Sequence, residues 1–311
     1  MSNTPDPCAI HDDYAQSANT LFHFMKELVF LKNILFHRAI VPRYCIETIG
    51  YLNLHNGKRI IEEIAVLQKC FCDIPFHKLA DKLTLSGIGK EFEELSDEEK
   101  FKLENRNTHF DYYGNYAIAF SKRWGEENNL QPINYLNIES QYTKDFSALF
   151  EKVINDENVS DEYVCDVLNR LSFIKPLRGI MKRTITKENA EDVIVKIYKN
   201  FHDEREWRYV PDIWQLKLVQ MESIIVNPGI IRLIHEINRS IEESKYETLW
   251  LKFNYNDIKY IIVPDSKSRV ELIEYISQLP EACFDEEENI VMQKSILISK
   301  LLVLEDIRRD W

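Results

Sequence analysis

Phe201-His-Asp-Glu-Arg-Glu-Trp-Arg-Tyr-Val-Pro211 is the most function-bearing stretch of the chain. Charged residues alternate there with aromatic and β-branched ones, and a proline closes the run, so residues 205–210 predict a strand. If the strand begins at Glu204 and reaches Val210, successive side chains point to opposite faces. Glu204, Glu206 and Arg208 then share one face, and Arg205, Trp207 and Tyr209 the other. Two sheltered carboxylates so close repel, which raises the proton affinity of at least one, and Arg208 offsets this by pairing. The plain alternative is a solvated charged face, in a chain that is 29% charged. The adjacent rings favour a strand anchored at a cleft.

Outward from this stretch, Leu21 to Met25 predicts a strand, and Leu28, Leu31, Ile34 and Leu35 recur at helical spacing. Pro42 marks the end of that helix. Lys58 to Gln68 predicts a second helix, with Ile60, Ile61, Ile64 and Leu67 on one side, leading into a strand at Cys70-Phe-Cys-Asp-Ile-Pro75. Ser96-Asp-Glu-Glu99 has the pattern of a capping box on a surface helix. Tyr116 to Phe120 and Pro132 to Tyr135 predict strands. Residues 144–172 predict helix, with Ser160 as a cap. Gly229 to Ser244 predicts an amphipathic helix. Strands follow at Leu249–Phe253 and Lys259–Val263, then a helix from Ser268 to Gln278. The order is irregular, without a βαβ rhythm or a Gly-rich phosphate loop. The expected fold is α+β, a mixed sheet core in one domain over 19–311. Residues 1–18 are a flexible lead-in, and 140–200 is a mostly helical insertion.

The 311 residues are 45% hydrophobic, enough for a sizeable core. A net charge of −12 argues against a broad nucleic-acid footprint but leaves room for a local basic cleft. The six cysteines have no framework spacing, the N-terminus no charged-then-apolar leader, and no apolar run spans a bilayer. The expectation is a cytoplasmic, non-membrane protein with free thiols. Cys70-x-Cys72 is poor zinc spacing, and no metal site is expected.

The chemistry-bearing candidates are few. Glu206 and Glu204 form the carboxylate pair beside Arg208. His23 lies between Phe22 and Phe24, so on a strand it points away from both rings; such a histidine is ordinarily satisfied by a backbone partner. Tyr112, Tyr113 and Tyr116 cluster around Gly114, which permits a tight turn, and a tyrosine ring can stack on a ligand and still offer its hydroxyl. Ordinary core packing is the bland alternative for all three.

Several of these segments, in order, resemble the AbiGi family of abortive-infection, phage-resistance proteins. They are Leu21–Phe24, Ile34–Leu35 through Pro42–Cys45, Cys70–Pro75, Tyr113–Trp124, Asp203–Pro211, Asp257–Val263 and Ser299–Trp311. The resemblance implies phage defence, with the chain as the antitoxin half of a two-gene system. A second resemblance, to ADP-ribosyltransferase folds of the DarT type, rests on the histidine-bearing strand followed by a helix with an Ile–Leu pair. It implies NAD as substrate. His23, Arg208 and one of the three tyrosines would bind it, and Glu206 with Glu204 would stabilise positive charge as the nicotinamide bond breaks. Met25 and His37-Arg38 depart from the usual pattern of that fold.

Three functions follow as expectations. One is an ADP-ribosyltransferase-like effector that modifies a nucleic acid or protein, or simply hydrolyses NAD. Another is a non-catalytic antitoxin or regulator that binds a partner toxin. The third is a metal-dependent nuclease using Asp73, Asp203, Glu204 and Glu206. The apolar-then-charged tail from Ser299 packs on the domain or supports self-association.

Overall fold

The computed structural model describes residues 17–79, 113–186, 192–284 and 289–310. Tyr112 and the Ser96 capping box lie outside these residues. The first strands are β1 (Thr20–Met25), β2 (Ala39–Ile40), β3 (Arg43–Thr48), β4 (His55–Asn56), β5 (Arg59–Ile60) and β6 (Glu63–Cys72). Next come β7 (Tyr116–Ser121), β8 (Gln131–Pro132), β9 (Asn134–Leu136), β10 (Ile174–Pro176), β11 (Arg178–Thr186) and β12 (Asp192–Asn200). The last are β13 (Glu206–Tyr209), β14 (Ile224–Ile225), β15 (Leu251–Lys252), β16 (Ile258–Val263) and β17 (Leu301–Val303).

Among the described residues the main sheet is mixed and has nine strands. Its order is β17-β16-β7-β1-β6-β13-β8, with β3 and β14 also paired to β6. β16 and β17 run parallel, and the other pairings are antiparallel. Helices Leu28–His37, Ser266–Gln278 and Ile290–Ser299 contribute to the core on one face. The alternation of β1 shows how the faces divide: Leu21 and Met25 join that core, while Phe22 and Phe24 join a second cluster with Cys72, Ala117 and Ala119.

Lys58 to Gln68 is not a helix. Ile64, Ala65, Val66 and Leu67 are all fully buried in β6. Ile64 and Val66 enter one cluster, Ala65 and Leu67 another, so both faces of the strand are covered. A strand covered on both faces shows a continuous apolar run, and here that run mimicked helical spacing.

Other differences are smaller. The expected strand over 132–135 is two short ones in different sheets, β8 against β13 and β9 against β10. The expected helix over 229–244 breaks into Pro228–Ile231 and Ile234–Ser240. The strand expected at 249–253 reduces to β15. The stretch 140–200 is helical at Gln141–Ile154 and Asp161–Leu168, the latter capped by Ser160, but ends in the β11–β12 hairpin. The tail packs on the sheet, with β17 beside β16 and Leu304 and Ile307 buried.

β1 and β6 share a single register pair, Phe22 opposite Cys72. On its other edge β1 pairs with β7 along its whole length, while the rest of β6 is occupied by β3, β13 and β14. The sheet therefore forks at this pair. No described helix is long and apolar enough to cross a membrane.

Candidate functional site

β13 begins at Glu206, not at Glu204. Glu204 ends a 3-10 turn, Phe201–Glu204, and Arg205 reverses the chain in the left-handed region at φ 44°. Arg205 therefore shares no strand face with Trp207 and Tyr209. The rest of the alternation holds: Trp207 and Tyr209 anchor the strand in the main core, and Glu206 and Arg208 share the other face.

The two carboxylates are still neighbours, because Lys175 bridges them. Lys175 donates to Glu204 Oε2 at 2.8 Å and to Glu206 Oε2 at 3.1 Å. Lys199 donates to Glu204 Oε1 at 2.6 Å and to the Tyr113 hydroxyl at 3.1 Å. The Tyr113 hydroxyl itself donates to Glu204. Arg208 Nε donates to Glu206 Oε1 at 2.6 Å, and its other nitrogens reach the Ser172 carbonyl and Glu47 Oε1, each at 2.7 Å. The Tyr135 hydroxyl accepts from the Glu206 backbone N–H at 2.8 Å.

Glu47, Glu204 and Glu206 thus face Lys175, Lys199 and Arg208, a formally neutral cluster largely shielded from water. Burial alone would raise the carboxylate pKa values. Lys175, then Lys199, outweighs it and holds Glu204 at about 2. Arg208 and Lys175 hold Glu206 lower still. For Lys175 burial is overcome by Glu206 and Glu204, so its proton is held more tightly than usual. For Lys199 burial wins and the pKa falls.

His23 lies on the other side of the sheet. Phe22, Cys72 and Glu206 are in register across β1, β6 and β13, so Glu206 points to the Phe22 side and His23, one residue on, to the opposite side. The imidazole sits at the fork, its Nδ1 3.0 Å from the Cys70 carbonyl. A carbonyl only accepts, so Nδ1 carries the proton. Burial, then the charge of Lys69, lowers the His23 pKa to about 3. The ring is neutral and Nε2 is its acceptor.

His23 and Tyr113 both line a cavity of about 400 Å³, open to solvent beside the fork, with Phe24, Phe30, Lys69 and Trp250 among its walls. Tyr113 is the link between that cavity and the carboxylates. Tyr116 is not part of it; its hydroxyl lies 3.3 Å from Ser268 Oγ. Asp73 is paired with Lys122 at 2.5 Å and Asp203 is exposed, so these two do not join Glu204 and Glu206. Among the described residues no group of three or more His, Cys, Asp or Glu is placed to hold a metal ion. Sequence reasoning missed Lys175, Lys199, Glu47 and Tyr135. Each is an isolated polar residue in an apolar or alternating stretch, and only the tertiary fold converges them.

A family described as "Putative abortive phage resistance protein AbiGi, antitoxin" matches residues 99–264. The chain is also 32% identical over 289 residues to "Abortive phage resistance protein AbiGi" of Lactococcus lactis subsp. cremoris, covering 88% of this chain and all of that relative. No solved structure gives a significant match.

Proposed function

The chain belongs to the AbiGi family of abortive phage resistance proteins, and from that premise we propose that it acts in phage defence as an ADP-ribosyltransferase-like effector. NAD would bind at the fork of the sheet, its ribose–nicotinamide bond would break with release of nicotinamide, and the ADP-ribose would pass to a nucleophile of a macromolecule or to water, which gives up a proton. The observation that carries the reading is Tyr113, which lines the cavity while its hydroxyl bonds a buried carboxylate.

In this reading the His23 Nε2 accepts a hydrogen bond from a ribose hydroxyl. The Tyr113 ring packs against the ligand. Glu204, reached through Tyr113, is the carboxylate nearer the cavity and supplies negative charge toward the cation that develops as the glycosidic bond breaks. Glu206 is the inner member of the pair. Clamped by Arg208 and Lys175, it positions Lys175 and thereby Glu204.

The test is expression in a bacterial host with NAD measured in the lysate. Wild type depletes NAD and slows growth, and Glu204→Gln and Tyr113→Phe abolish both although each still unfolds cooperatively above the growth temperature. The reading fails if folded Glu204→Gln and Glu206→Gln variants retain toxicity and phage protection.

A second reading, the antitoxin of the family description, is favoured by Trp214 and Leu218. These are 74% and 76% exposed, four residues apart on helix Ile213–Val219. A protein partner, the toxin of a two-gene pair, would cover them. Protection without NAD loss, together with co-purification of the neighbouring gene product, would decide for it.

A further inference from the structure

The cavity at the fork is cationic in a chain of net charge −12. Lys26, Arg43 and Lys69 line it against a single carboxylate, Glu242, which is already bonded to Arg43. Lys26 is exposed at the rim. Lys69 is half-buried in the wall, on β6 at the register position opposite Tyr209. It makes no hydrogen bond or ion pair among the described residues. A cation half withdrawn from water with no ion pair of its own is costly, and proteins ordinarily pair it.

Around this cation the walls are aromatic. Phe30 is 41% exposed, and Trp250 holds the His37 ring edge-on at 5.3 Å between centroids. At about 400 Å³ the space has the size of a small-ligand site.

We propose that this cavity is a phosphate-binding site for a nucleotide, with Lys69 the residue that meets the phosphate and the aromatic walls receiving the planar base. The choice of NAD as that nucleotide rests on the function proposed above; the anion site itself rests on the cavity. Burial, reinforced by Arg43, lowers the proton affinity of Lys69, and an arriving phosphate would restore it. Arg43 is spoken for by Glu242, so it shapes the rim and Lys69 makes the contact.

The experiment is calorimetric titration of the full chain with NAD, ADP and nicotinamide riboside, which carries no phosphate. Wild type binds NAD and ADP, and the riboside at least ten-fold more weakly. Lys69→Met weakens NAD and ADP at least ten-fold and leaves the riboside unchanged, while Lys69→Arg recovers part of the loss. A thermal melt within a few degrees of wild type shows that the variant is folded. Undiminished ADP binding by folded Lys69→Met overturns the proposal, as does wild type that binds no phosphate-bearing probe or binds the riboside as tightly as NAD. Lys69-dependent binding of ADP without any NAD binding or turnover would overturn the NAD reading and uphold the anion site. NAD turnover that is indifferent to Lys69→Met would do the reverse.

Discussion

Arg208 donates from Nε to Glu206 Oε1 at 2.6 Å, and both side chains are sealed from solvent on one face of β13. Breaking such a pair strands the remaining charge in the interior. Glu206→Ala leaves the guanidinium with Glu47 and a backbone carbonyl. It is expected to destabilise by about 3–5 kcal/mol. Replacing both residues, as Glu206→Leu with Arg208→Met, is expected to recover part of that loss, because the cluster that remains, Glu47 and Glu204 with Lys175 and Lys199, is again balanced in charge. Urea unfolding of the two variants measures it. A Glu206→Ala protein within about 1 kcal/mol of wild type would mean that the pair is not closed off from water in solution.

The pH dependence of stability divides between a buried histidine and the clamped carboxylates. His23 is held neutral in the fold, with a pKa of about 3 against an ordinary 6.5. Below 6.5 the unfolded chain takes the proton first, so stability falls as pH drops from 6.5 toward 3. Glu204 has a folded pKa of about 2 against 4.5. Its contribution is present above 4.5 and is lost as pH falls from 4.5 to 2. The window from pH 6.5 to 5 therefore belongs to His23, and at most about 2 kcal/mol is lost across it. Urea midpoints at pH 7 and pH 5 should show a flatter dependence for His23→Gln and the wild-type slope for Glu204→Gln. An unchanged slope in His23→Gln would rule out the buried neutral imidazole as its source.

How much of this was legible in the sequence depends on how local each signal is. β1, the helix after it, β7 and β16 come from short apolar runs whose burial follows their own alternation or spacing. β6 shows helical spacing in the sequence because its four buried residues serve two different cores, and a run buried on both sides carries no period of its own. Alternation puts Glu204, Glu206 and Arg208 on one strand face, but Glu204 lies outside the strand and arrives through a 3-10 turn and a left-handed Arg205, which strand alternation does not encode. The separation of His23 from Glu206 is set by the register of β1, β6 and β13 together, and no single segment contains that information.

Gly114 permits a tight turn, and its constraint is stronger than that. It has φ 108°, and a Cβ there would lie 2.1 Å from the Met25 carbonyl oxygen and 2.4 Å from Lys26 Cα. Backbone, not a movable side-chain tip, blocks the space. Gly114→Ala is expected to cost at least about 2 kcal/mol and to displace Tyr113, the next residue back. Gly57 is the control. It also has positive φ, 62°, but nothing lies within 4 Å of a Cβ there. Gly57→Ala should cost only the backbone strain, about 1–2 kcal/mol. Thermal melts that rank Gly57→Ala as the more damaging change would contradict this account.

Trp214 and Leu218 allow a prediction about partners that is separable from the cavity. Both stand on a helix whose inner residue, Leu216, is buried, so the exposed pair is not needed to hold the helix down. Lys217 reaches over the Trp214 ring at 5.8 Å and bridges to Glu162 at 3.1 Å, which extends the patch toward the helix Asp161–Leu168. Surface changes away from such packing usually alter stability by no more than about 0.5 kcal/mol. The pair Trp214→Glu and Leu218→Lys should therefore keep the thermal transition and any NAD binding of wild type. If this face holds a toxin partner, the same variant loses co-purification of the neighbouring gene product, because a charge inserted at the centre of a desolvated contact must be buried unpaired. Retention of the partner at wild-type yield would place the docking surface elsewhere on the chain.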